Sequence, residues 1–119
     1  MRFLYDAVLP QNLADEAPAG ITLDRWDGGD EQDSALIRAA ADRGYRGVLF
    51  YDRDSLEQPD LRRLASERGI ALVAVEARDP IEAKVRVLRN FGRLRRLMVD
   101  HDCLLVLARE VREYPSPQC

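Results

Sequence analysis

The 119-residue chain predicts an α/β domain, a three-layer sandwich with helices on both faces of a mainly parallel, five-stranded sheet. Three observations carry this. Strand and helix patterns alternate strictly, β-α-β-α-β-α-β-α-β, and such alternation builds parallel sheets. Residues 47–51 and 70–76 are short, almost continuously apolar runs bounded by glycine and charge, as buried strands are. The segments between the runs carry helix start and stop signals.

Each element can be justified in turn. Residues 2–5 (Arg-Phe-Leu-Tyr) form the first strand, which ends at Asp6. Pro10 suits the first turn of a helix, Leu9, Leu13 and Ala17 recur every fourth residue, and Pro18 and Gly20 stop it. Residues 21–26 alternate and read as the second strand. Asp30 is a helix N-cap for residues 31–43, with Gly44 as C-cap and Leu36, Ile37, Ala40 and Ala41 as the apolar stripe. The third strand is 47–51. A helix over 59–68 begins at Pro59-Asp60 and ends at Gly69. The fourth strand, 70–76, ends at Glu76. Asp79-Pro80 then caps a long helix to about Met98, with Ile81, Val85, Leu88, Phe91, Leu94, Leu97 and Met98 at helical spacing. Residues 103–108 make the fifth strand. The single domain is expected over 1–110, with 111–119 a flexible tail.

Composition excludes several classes. Apolar residues make up 46% and charged residues 33%, which suits a globular domain. No apolar run is long enough to span a membrane, and the N-terminus meets an acid at position 6, unlike a signal peptide. A cytoplasmic location is expected. The net charge of −3 argues against binding nucleic acid by bulk charge and leaves room for a local basic patch. Cys103 reads as a buried thiol and Cys119 as part of the tail, with no disulfide expected. No glycine-rich phosphate loop is present, and no histidine is placed to activate a serine nucleophile.

The chemistry-bearing feature is acidic. The apolar run "VLFY" leads straight into Asp52 and Asp54. Two like charges roughly 5 Å apart repel by a few kcal/mol at an effective dielectric of about 20. Water, an arginine or a cation must offset that. Ligands of parallel sheets bind outside the carboxyl ends of the strands. Topology puts Asp6, the group Asp30, Glu31 and Asp33, and the pair Asp52 and Asp54 on that same edge. Carboxylates with no histidine or cysteine beside them suit Mg2+ or Mn2+ rather than zinc. Ordinary roles also fit. Asp6 can form a turn, Asp33 can favour a helix dipole, and Asp52 and Asp54 can flank Arg53 in a solvated loop. Arg86, Arg89, Arg93 and Arg96 make a basic stripe on the long helix, either a solvated face partly paired with Glu82 or a contact for phosphates or an acidic partner. Trp26 and Tyr51 lie near the acidic edge, where an aromatic ring can stack on a base.

These residues resemble a family. "MRFLYDAVLPQNLA" is similar to the opening of compact PIN-like proteins related to VapC-type toxins: an apolar strand, an Asp, two residues, Leu-Pro, then Leu-Ala. Here these are Asp6, Leu9, Pro10, Leu13 and Ala14. "GGDEQDSALIRAAADRG" looks like the family's acidic helix start, and "VLFYDRD" is similar to its Asp-Arg-Asp segment. The resemblance covers roughly residues 1–110. It implies a PIN-like sandwich and a Mg2+- or Mn2+-dependent endoribonuclease of the toxin–antitoxin kind. Asp6 and Asp52 would be metal ligands. Asp33 and Asp54 would hold waters or a second ion, with Asp30 or Glu31 as alternates to Asp33. Arg53, Arg86, Arg89, Arg93 and Arg96 would meet RNA or a protein partner. An antitoxin protein and a homodimer are further implications, and a membrane is not one. The chain departs from the pattern at Phe50, where a Thr or Ser often helps orient the attacking water, and at Ala7, where a second acid is frequent. The alternative reading is therefore a catalytically degenerate PIN-like module that binds a protein.

Overall fold

The computed structural model describes residues 1–26, 33–51, 53–98 and 103–113. Its elements are β1 (Arg2–Tyr5), a 3-10 helix (Gln11–Glu16), β2 (Thr22–Arg25), α1 (Asp33–Asp42), β3 (Gly47–Tyr51), a 3-10 turn (Arg53–Ser55), α2 (Pro59–Arg68), β4 (Ala71–Val75), α3 (Pro80–Leu97), β5 (Cys103–Val106) and β6 (Val111–Glu113). The strands form one sheet in the order β2-β1-β3-β4-β5-β6. The first five are parallel and β6 is antiparallel to β5. The sheet thus has six strands rather than the expected five. The extra one occupies the start of the segment read as a tail.

Local signals explain most boundaries. The side chain of Asp79 accepts the Glu82 backbone N–H at 2.8 Å, and Pro80 opens α3 where its missing N–H costs nothing. Gly69, in the left-handed region at φ 68°, ends α2 by donating its N–H to the carbonyls of Ala65 and Ser66. The segment after Pro10 forms a 3-10 rather than an α-helix. Pro18 forces Ala17 to extended geometry (φ −61°, ψ 136°), so only six residues remain between the prolines.

Two cores lie on the two faces. One packs α3 and the 3-10 helix on Phe3, Tyr5, Leu49, Val73, Leu104 and Val106. The other packs α1 and α2 on Leu4, Val48, Phe50, Leu72, Ala74 and Leu105. The stripe that α3 buries is Ala83, Val87, Phe91 and Leu94, continued by Met98. Ile81 and Val85, expected in it, are 70% and 43% exposed. Cys103 is buried and disulfide-bonded, not the thiol expected, and Cys119 lies outside the described residues.

The connections have an uneven hand. The steps β3–α2–β4 and β4–α3–β5 move the same way across the sheet, yet their helices lie on opposite faces. Their hands are therefore opposite, and one is the uncommon left-handed form. Among the described residues no helix is long and apolar enough to cross a membrane.

Candidate functional site: an acidic pair at the switch point of the sheet

The chain leaves β1 for β2 over one face, and it reaches β3 from β2 through α1 on the other. A crevice at such a reversal, outside the carboxyl ends of the strands, is where open α/β sheets bind ligands. Asp6 stands at this point. Its N–H donates to the Leu49 carbonyl at 2.9 Å, extending the β1–β3 ladder by one residue. Its carbonyl accepts the Leu9 N–H at 3.0 Å, and its Oδ1 accepts the Val8 N–H at 3.3 Å. The turn reading of Asp6 is therefore correct as far as it goes. One carboxylate oxygen serves the turn, and the other takes no protein hydrogen bond among the described residues.

Asp33 opens α1 beside it. Burial, and then the negative charge of Asp6, hold the Asp33 carboxyl above its ordinary value. A first-turn position favours the anion through the helix dipole. That help is outweighed here, so desolvation and the like charge dominate. Among the described residues neither Asp6 nor Asp33 has an arginine or lysine ion-pair partner. Arg25, which could have neutralised them, donates instead to the Ala7 carbonyl at 3.1 Å.

The charge of Asp6 reaches Asp33, and no contact of Asp54 with either is described. Asp54 is exposed on the 3-10 turn after β3, and its charge is not among the causes of the Asp33 shift. Asp52, Asp30 and Glu31 lie outside the described residues, as does His101. Among the described residues no three His, Cys, Asp or Glu side chains gather into a metal-binding group. The described fraction of the site is a pair of oxygen donors. Such a like-charged pair suits a hard divalent cation, which would draw the Asp33 carboxyl back down.

Sequence reasoning gave no role to Glu76, which follows β4 on the same edge and is half-buried. Arg53 reaches it at 3.7 Å and also reaches Glu57 at 3.8 Å, so Arg53 ties the β3 turn to the end of β4. Both pairs are too exposed to contribute much more than about 1 kcal/mol each. The signal for Glu76 was the same one that marked Asp52: an acid directly after a buried apolar run.

The basic stripe divides. Arg86 is taken up by Glu82 at 2.6 Å and by the Glu76 carbonyl at 2.5 Å. Arg89 and Arg93 turn toward the loop after β5, and Arg96 borders a neighbouring cavity with Arg93 and Glu110. Tyr5, Gln11, Ala14, Asp15, Arg25 and Trp26 line a cavity of about 390 Å3. Tyr51 donates its hydroxyl to the Ala77 carbonyl at 3.2 Å, so it packs across β4, while Trp26 borders that cavity.

No family model matches the chain, and no curated protein or solved structure matches it.

Proposed function

We propose that the protein is a metal-dependent endoribonuclease of the PIN-like, toxin type. The observation that supports this most is the Asp6–Asp33 pair: two carboxylates that have no cationic partner among the described residues, at the switch point of a parallel sheet. In this reading the pair, with Asp52, holds Mg2+ or Mn2+, and Asp54 acts from the rim. The ion would supply Lewis acidity that activates water and offsets phosphodiester charge. The chain supplies the rest. The β1–β3 ladder and the turn at Asp6 fix one carboxylate, and the start of α1 fixes the other. The cavity bordered by Tyr5, the residue before Asp6, and Trp26 offers an aromatic edge. The same reading carries a cytoplasmic location, an RNA substrate, an antitoxin protein as partner, and a homodimer.

A second reading has a specific observation behind it. Phe50 is 2% exposed and packs in the α1–α2 core, so its position gives no polar group to the crevice. A catalytically degenerate PIN-like module that binds a protein fits that. Incubating single-stranded RNA with the protein and Mn2+ separates the two. The nuclease reading expects cleavage that needs the metal and is lost in Asp6→Asn and Asp33→Asn. Intact RNA in the presence of bound metal would leave the binding module.

A further inference from the structure

α3 and the turn after β5 enclose a cleft of about 460 Å3 lined by Arg89, Asn90, Arg93 and Arg109. Its floor is built. Asn90 is 3% exposed, and its Nδ2 donates to the carbonyls of Arg86 at 2.8 Å and Leu107 at 3.2 Å. This fastens the helix to the turn. Arg89 donates to the Ala108 carbonyl at 3.3 Å, and Arg93 donates to the Arg109 carbonyl. These contacts hold both guanidinium groups over the cleft without neutralising them. Among the described residues none of the three arginines has a carboxylate partner. Glu110, at the neighbouring cavity, is engaged by Arg112 at 2.8 Å.

Each guanidinium carries five N–H donors, and one carbonyl contact leaves most of them unused. Three positive charges around one cleft repel unless an anion sits among them. The planar fork of arginine matches the oxygens of a phosphate group. The turn after β5 also lies on the same sheet edge as Asp6. Three strand spacings separate β1 from β5, about 14 Å, a span that a few nucleotides can cover.

We infer that this cleft binds a phosphate group, and that the phosphate belongs to the backbone of a single RNA strand reaching the acidic edge. The cleft is argued from its own residues; the RNA source rests on the nuclease reading.

The test is fluorescence anisotropy with a 3′-labelled RNA octamer bearing a 5′-hydroxyl, on the full chain in EDTA, over a range of salt. Without metal there is no turnover, so failure of the nuclease reading and failure of this site are separable. Arg93→Ala is expected to weaken binding roughly tenfold, the loss of one charge-assisted contact, and to flatten the salt slope by about 0.7. Arg95→Ala, two residues on and facing away, is expected to stay within about twofold. Calorimetry with pyrophosphate is the second arm. Pyrophosphate binding that Arg93→Ala abolishes, with no RNA binding, keeps the cleft and rejects the strand. RNA affinity unchanged by Arg93→Ala and Arg109→Ala, with no pyrophosphate binding, overturns the site.

Discussion

Replacing Gly47 by alanine tests how tightly the site strand is seated. Gly47 begins β3 and pairs with Phe3 of β1 and Ala71 of β4. A Cβ there would lie 2.9 Å from the Ala71 carbonyl oxygen and 2.9 Å from Cε1 of Phe3. Neither neighbour can yield freely. The carbonyl belongs to the β3–β4 ladder. Phe3 is fully buried and packs edge-on against Phe91 at 5.7 Å between centroids. Overpacking of this kind costs about 1–3 kcal/mol, and the entropy gained in the unfolded chain returns about 0.4–1 kcal/mol. The net loss is about 1–2 kcal/mol. At about 2.1 cal/mol/K per residue, 119 residues give an unfolding entropy of about 0.25 kcal/mol/K. Tm should therefore fall by about 4–8 °C in differential scanning calorimetry. Because Asp6 hangs on the Leu49 carbonyl, a shifted β3 should also weaken any cation held at the crevice. An unchanged or raised Tm would refute the packing argument.

Three further outcomes are expected. Gly92 is exposed in the middle of α3 and a Cβ there meets nothing within 4 Å, so Gly92→Ala should stabilise by about 0.5–1 kcal/mol, read as a Tm rise of about 2–4 °C. Asp33 is held above its ordinary carboxyl value by burial and Asp6, so its ionisation opposes folding. Its contribution is most favourable below the unfolded carboxyl value, declines as pH rises through the folded value, and is a full penalty above it. Asp33→Asn should therefore raise Tm at pH 7 and lose that advantage near pH 3; an equal effect at both pH values would contradict this origin. Saturating Mn2+ should raise the Tm of the wild type at pH 7 and leave that of Asp6→Asn nearly unmoved.

Much of the fold was legible because single residues announce boundaries. Asp79-Pro80, Gly69 and the apolar runs at 47–51 and 70–76 have local causes, and the elements begin and end close to them. Strand order was not legible, since alternation gives a parallel sheet without saying which neighbours pair. β6 left almost no trace: three residues, Val-Arg-Glu, pair by backbone with β5 only. The α3 stripe departs from the expected one because Ile81 outweighs Ala83 in side-chain size and Val85 matches Val87, at the same spacing of four. The placement of Asp6 and Asp33 at the carboxyl edge of the sheet was legible from topology. Asp54 follows β3 on the same edge and is exposed on the 3-10 turn at 53–55. Glu76 was missed although it followed the same rule.

Manganese calorimetry on the wild type and on Asp6→Asn/Asp33→Asn reads the proposed cation site at its own ligands. One binding event in the micromolar-to-millimolar range is expected for the wild type, and none for the double variant. No heat of binding to a folded wild type would contradict it. Asp6 would then remain as a turn former, and Asp33 as a costly first-turn acid.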